Sequence, residues 1–320
     1  MWDSILTQTK GSGGLIAFMG ARVAFHSVCI EDGDGCAVRV RHAGTRVDLE
    51  GCTVWRHRHR GIKVSDGGAL SLRRCDVRDV RLGHAVIVTG EGTRAALAES
   101  RVAGSRCCGV AVERGAGVTL VGTVVERSGS HALWVSGVGT RAVVTGSVLK
   151  SAGECGCLAR TRCVVQLAGT RVTGAGACGV HVGEKGAIVQ LRECLIAGSA
   201  RQGLRASQGG HLDVRDTVVA RSGAAGAGVA GQRARARLEG CALTDNAVRV
   251  VAEEGGLAEV DGCRVARSKR DGVLSRGLSS TVSGVTTSCS NGDGTLLIPY
   301  ALLVPYWFAT ALLGYERDGP

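Results

Sequence analysis

Proline is almost missing from this 320-residue chain: three are present, at 299, 305 and 320, so the first 298 residues have none. That excludes folds that punctuate helices and loops with proline, and it suits a backbone in which nearly every N–H is used in a ladder. Aromatic residues are also few, with four Trp, three Tyr and three Phe, and five of these ten fall between residues 296 and 315. An ordinary α/β or helical core of this length would use more. Asparagine occurs twice, at Asn246 and Asn291, and neither opens a glycosylation sequon. No basic run alternates with aromatics, so stacking on single-stranded nucleic acid has no support, and nucleic acid is disfavoured as a partner. The start, MWDSILTQTKGSGG, lacks a charged segment followed by an apolar one, so no signal peptide is expected.

What is abundant narrows the class further. Glycine supplies 50 residues, without the three-residue period or the proline that collagen needs. Hydrophobic residues make up 44 %, which excludes a disordered chain. The net charge is +11, from 39 basic and 28 acidic residues, and only five of the basic ones are lysine. This balance favours an anionic partner such as an acidic polysaccharide or a membrane surface, against the simpler reading of a solvated, arginine-biased surface. The 14 cysteines, in a chain with no recognisable leader, read as reduced thiols of an intracellular protein. The expected location is cytoplasmic, or membrane-associated through the apolar tail described below.

A period runs through most of the chain. Cys52, Cys75, Ser100, Thr123, Ser147, Thr170, Cys194, Thr217, Cys241 and Cys263 form a column with intervals of 22 to 25 residues. Two residues after each member stands Val, Leu or Ile, and three residues before each stands Leu or Val. Five before each lies Val, Leu or Ala. Nine after, the chain often has Gly and then an apolar-x-apolar step, as in Gly61-Ile62-Lys63-Val64, Gly109-Val110-Ala111-Val112, Gly179-Val180-His181-Val182 and Gly272-Val273-Leu274-Ser275. A degraded copy lies upstream around Val23, His26, Val28 and Gly35, and another is expected near residues 278–289. Each period therefore holds three short segments of alternating apolar residues, separated by Gly and small polar corners. Such alternation means strand, and segments this short cannot be amphipathic helices. Three strands per period at constant phase make a coil whose turns stack and bury one another's inner faces. The repeat predicts an all-β, single-stranded right-handed parallel β-helix, a solenoid of 10–12 rungs with 23–24 residues per rung. At about 4.8 Å per rung the rod is roughly 50 Å long.

The pattern Leu-x-x-Cys-x-Val, then Ser or Asn, then Gly-Val-x-Val resembles the right-handed parallel β-helix repeat of pectate-lyase-like enzymes, alginate epimerases, NosD-type carbohydrate-binding proteins and the β-helix domains of some F-box adapters. The resemblance covers about residues 20–290. It implies the fold, and it implies either carbohydrate or protein binding or chemistry on a polysaccharide. Many members carry an asparagine ladder at an inner corner; here the matching column holds Ser105, Ser128, Ser199, Ser222, Asn246 and Ser268, mixed with other residues. The step Arg60-Gly61-Ile62-Lys63 only superficially matches the Arg-Ile-Lys motif of polygalacturonases, and the Asn-Thr-Asp, Asp-Asp and Gly-His-Gly motifs of those enzymes are missing. The Asp-Pro-His-Glu motif of alginate epimerases is missing too.

Four sets of residues carry candidate chemistry. The ladder cysteines read as small, soft core residues, because parallel in-register side chains do not point at each other as a disulfide requires. A second column, Cys108, His131, Cys155 and Cys178, has zinc-ligand residue types. Four rungs span roughly 14 Å, too far for ligands of one ion, so corner packing is expected and no metal site is assigned. Arg56, His57, Arg58, His59 and Arg60 form the densest basic cluster and are the candidate ligand site, suited to a phosphate, sulfate or uronate. Asp213, Glu239, Glu259 and Asp261 fall on outward positions of adjacent rungs with Arg215 and Arg237, and His211 lies beside Asp213. They are the candidate catalytic residues if the protein is an enzyme, for acid/base work on a uronate sugar with Ca²⁺ as the only implied cofactor. Cross-strand ion pairing on a solvated face is the simpler reading.

Residues 296–315, LLIPYALLVPYWFATALLGY, carry no charge and break the repeat. They are long enough to span a bilayer, although Pro299 and Pro305 would kink a spanning helix. The rival expectation is a cap over the last rung. The domain reading is an N-terminal cap over 1–20, the β-helix over 21–290 and the hydrophobic tail over 291–320. The functional expectation is a non-catalytic module that reads carbohydrate or a protein partner along its ribbed surface. A pectate-lyase-like lyase, hydrolase or epimerase is the alternative.

Overall fold

The computed structural model describes residues 4–7, 13–267, 273–276, 279–284 and 286–289. Each sequence repeat is one turn of a right-handed coil with three strands, and each strand pairs in parallel with its equivalents one turn away. Three parallel sheets result, of 13, 12 and 12 strands, wound in about 11 turns. One complete turn shows the plan: Thr53–Trp55 lies in the first sheet, Arg60–Ser65 in the second and Ala69–Arg73 in the third. Among the described residues there is no helix, and so none long and apolar enough to cross a membrane. The expected tail at 296–315, together with Ser268 and Gly272, lies outside the described residues.

The coil begins earlier than residue 21. Within the segment read as a cap, Ser4–Thr7 pairs with Val28–Glu31, and Gly13–Ala17 pairs with Cys36–Arg41. The register sets Leu15 opposite Val38 and Ala17 opposite Val40, repeating the inward spacing of the later turns. The degraded upstream copy forms strands Arg22–His26 and Val28–Glu31. At the other end Val273–Arg276, Thr281–Ser283 and Thr286–Cys289 continue the three sheets.

The Cys/Ser/Thr column sits at the corner between the third sheet and the first. The residue before each of its ten members has φ between 49° and 61°. Glycine adopts that left-handed conformation without a steric cost and occupies six of the ten sites; Arg74, Glu99, Glu193 and Asp216 hold it in the others. The column side chains then connect turn to turn. The Thr123 hydroxyl reaches the carbonyls of Val121 at 3.1 Å and of Leu97, one turn back, at 3.0 Å, while the Thr123 N–H donates to Ser147 Oγ at 3.1 Å. Cys75 Sγ does the same toward the Leu49 carbonyl at 3.2 Å, and Cys241 N–H donates to Cys263 Sγ at 3.3 Å. A short side chain with one donor and one acceptor meets this need, which is why Cys, Ser and Thr interchange there. The cysteines of this column are free.

The corner between the first sheet and the second repeats the device. Its left-handed residue lies four after the column, as at Arg56, Arg127 and Asp245, and turns the next residue into the core. Asn246 is such a residue: its Nδ2 donates to the Val219 carbonyl at 2.9 Å and its Oδ1 accepts the Ser222 N–H at 2.9 Å. Asn246→Ala leaves the buried Ser222 N–H without its acceptor and removes one donor from the Val219 carbonyl, which keeps its ladder bond, and a loss of about 2 kcal/mol is expected, read as a lower urea midpoint at an unchanged m-value.

Candidate functional site

The basic residues at 56–60 do not form one surface. His57 is 0 % exposed, at the inner corner position that Asn246 occupies later in the coil, and its Nε2 lies 3.3 Å from the Ile30 carbonyl. Burial pushes its pKa down. His57 therefore faces the core and presents nothing to a ligand, because the left-handed Arg56 before it rotates it inward. Arg56 is engaged as well: it pairs with Asp32 at 2.5 Å and lies 3.7 Å from the centroid of the Trp55 ring. Trp55 in turn donates its indole N–H to Glu31 at 2.6 Å. Arg58, His59 and Arg60 are exposed. Arg56 and Arg58 line a shallow cavity of about 440 Å³ with Arg81, Leu82, Gly33, Asp32 and Asp34, so two acidic residues stand among its three arginines.

Asp213, Glu239, Glu259 and Asp261 do share the outer face of the third sheet. The register places Arg237 between Asp213 and Glu259, and Glu239 between Arg215 and Asp261. Arg215 Nε lies 3.5 Å from Asp213 and 3.6 Å from Glu239, and Arg237 lies 4.0 Å from Glu239. Arg237 separates Asp213 from Glu259, whereas Glu239 and Asp261 are neighbours on adjacent turns. Of these three ion pairs, Arg215–Glu239 crosses between strands and the other two lie within one strand. Among the described residues no group of three or more His, Cys, Asp or Glu is placed to hold a metal ion. In the column of Cys108, His131, Cys155 and Cys178 the imidazole has a backbone partner instead: His131 Nδ1 accepts the Cys155 N–H at 3.1 Å. His84, one turn before Cys108, accepts that residue's N–H at 3.2 Å.

A different surface gathers unlike groups along the rod. In every second-sheet strand the middle residue of the apolar-x-apolar step points outward. In register these residues run Ile16, Arg39, Lys63, Ile87, Ala111, Trp134, Leu158, His181, Arg205, Gly228, Val251 and Leu274. Trp134 is half-buried and stacks on His84, with ring centroids 6.2 Å apart and planes 22° from parallel. Ile87 and Ala111 pack against it on one side, Leu158 with Cys155 and Cys178 on the other. Beyond this apolar stretch the face becomes polar. His181 Nε2 and Ser207 Oγ share a hydrogen bond of 2.8 Å over Gly183, where a Cβ would come within 3.5 Å of the ring nitrogen. Burial, and then Arg205 and Arg160, push the His181 pKa down to about 4, so the ring is neutral at pH 7. Next along the face, a trough of about 960 Å³ opens among Gln202, Arg205, Arg221, Gly228, Val251 and Leu274, with Asp245, Glu253 and Arg276 also on its walls.

A family model described as a right handed beta helix region matches residues 36–194 and 178–298. The chain belongs to the right-handed β-helix family. No curated protein matches its sequence. Among solved structures this β-helix is similar to pectate lyase Pel9A, with 13 % identity and a TM-score of 0.52 over 87 % of this chain and 78 % of that one. It is also similar to the A-modules of two Azotobacter vinelandii mannuronan C-5 epimerases. For AlgE4 the identity is 15 % and the TM-score 0.52, over 88 % of this chain and 90 % of the other. For AlgE6 they are 14 % and 0.54, over 90 % and 91 %. At such identities the likeness is one of fold. The residues that distinguish this β-helix's second-sheet face, Trp134, Arg205 and Gly228, are not conspicuous in sequence. Collecting the x of each Gly-apolar-x-apolar step as a column of its own is the signal that finds them.

Proposed function

We propose that this β-helix is a non-catalytic module that holds a carbohydrate chain along the outer face of its second sheet. The observation that carries this reading is Trp134, an indole directed outward on the flat of the sheet and braced by His84, in line with the polar trough. An aromatic ring of this kind offers an apolar surface to the C–H face of a sugar, and its partial burial lowers the cost of ordering it. A rod with one rung about every 4.8 Å suits an extended polymer lying along its axis. Acid/base chemistry needs carboxyl groups free to exchange protons. The two that line the trough are ion-paired, Asp245 with Arg267 at 2.9 Å and Glu253 with Arg276 at 3.7 Å. The fold is shared with a pectate lyase and with mannuronan epimerases, so polysaccharides are the first ligands to try.

The test is a titration of the full chain with pectate, alginate and cellohexaose, followed by tryptophan fluorescence, with the glycans analysed afterwards by mass spectrometry. Binding without turnover is expected, and Trp134→Ala should weaken it by about tenfold. Cleaved or epimerised glycan would make the protein an enzyme. No binding to any glycan would direct the search to a protein partner.

A further inference from the structure

The trough beyond His181 holds positive charge that the fold does not neutralise. Arg205 and Arg221 both line it, and neither lies within ion-pair distance of a described carboxylate. Its two acidic residues are occupied: Asp245 receives two bonds of 2.9 Å from Arg267, and Glu253 lies 3.7 Å from Arg276. The Arg205 Nε is shielded from solvent and has no hydrogen-bond partner. A shielded guanidinium donor without an acceptor is costly, and an anionic oxygen would relieve that cost.

The floor has the complementary shape. Gly228 stands in mid-strand at the outward position between Arg205 and Val251. Its φ lies outside the left-handed region, so the backbone does not require glycine here. A Cβ would meet Gln202 Cγ at 3.2 Å, and a larger side chain would fill the space beside Arg205. Val251 and Leu274 carry an apolar floor onward from it.

We propose that this trough is a subsite for one anionic sugar residue, with the ring laid over Gly228 and Val251 and its carboxylate or sulfate group held by Arg205 and Arg221. The inference rests on the carbohydrate reading above and adds to it the charge class of the ligand. Guanidinium groups match carboxylate and sulfate oxygens equally well in geometry, so the source of the anion is a matter for the experiment.

The full chain is titrated calorimetrically with three hexasaccharides, an oligogalacturonate, a sulfated glucan and neutral cellohexaose, at low and high salt. At least one acidic chain should bind on the order of tenfold more tightly than the neutral one, with an affinity that falls as salt rises. Whichever acid prevails identifies the group. Arg205→Gln should erase the preference for the acidic chain over cellohexaose. Arg205→Lys, which keeps the charge, should retain part of the preference. Gly228→Leu should abolish acidic binding by filling the floor. If acidic and neutral chains bind the native protein equally, the subsite is wrong. It is also wrong if Arg205→Gln and Arg221→Gln both leave acidic binding intact while Trp134→Ala removes it, and the carbohydrate reading then survives. If no hexasaccharide binds, both fall together.

Discussion

Replacing Gly179 by valine is expected to remove about 3 kcal/mol or more of stability, among the largest losses any single substitution in this coil should cause. Gly179 opens the step into the second sheet, and a Cβ there would stand 2.4 Å from Ile196 Cγ2, 2.6 Å from the Gly203 carbonyl oxygen and 2.8 Å from Ser199 Oγ. One of these is backbone of the next turn, and the other two belong to buried residues, so relief requires the turns to separate. Ala37, Ala85 and Ala132 occupy the equivalent position elsewhere, as does the long, unbranched Arg249, so a Cβ fits where the neighbours give way; among the described residues no β-branched side chain stands in the column. Urea denaturation of Gly179→Val against native protein reads the loss. A midpoint within experimental error of native would show that the corner is looser than the distances imply.

Acidification from pH 7 toward pH 4 should destabilise the protein steeply. His57, His84, His131 and His181 all have pKa values pushed down, with burial the leading cause in each case. An unfolded histidine gains its proton near pH 6.5 while the folded one stays neutral, so between the two values the unfolded chain binds more protons and stability falls as pH falls. For His181, held down to about 4, the loss grows from about pH 6.5 and is fully realised near pH 4, at about 3 kcal/mol for this one group. His131 contributes less, because Glu154 at 3.2 Å favours its charged form and opposes the burial. Glu126 belongs to a lower window. Lys150 and Arg101 hold its carboxyl below the usual range, so its contribution persists until the pH passes beneath that of an ordinary glutamate. Urea midpoints measured across this range should fall continuously, and His181→Gln should flatten the profile. A flat native profile from pH 7 to about 4.5 would contradict the assignment.

The coil was legible because every turn makes the same demand at the same place. The ladder corner needs a short donor-acceptor side chain after a left-handed residue, and that demand recurs at Cys52, Thr123 and Cys263 alike. The third-sheet carboxylates were placed on one face by alternation alone. His57 was not legible: a run of five basic residues looks like surface, and only the left-handed φ of Arg56 shows that the second of them turns inward. Trp134, Arg205 and Gly228 were hidden for the opposite reason. The outward column of the second sheet serves no repeated structural need, so its residues vary from turn to turn and show no periodicity to find. Structure is read from what repeats, and in this protein the candidate function lies in what does not.

The ladder also sets how such a protein can change in length. A residue added inside a strand would exchange its inward and outward faces. The interval of 25 residues between Cys75 and Ser100 instead places its additional residues in the corners near 81–85 and 90–93, where the strands on either side keep their register. A whole turn duplicated or lost would leave every neighbour facing an equivalent partner and move the rest of the rod by one rung. Length in this architecture is therefore quantised in units of about two dozen residues, and the position of Trp134 relative to the trough is a whole number of those units.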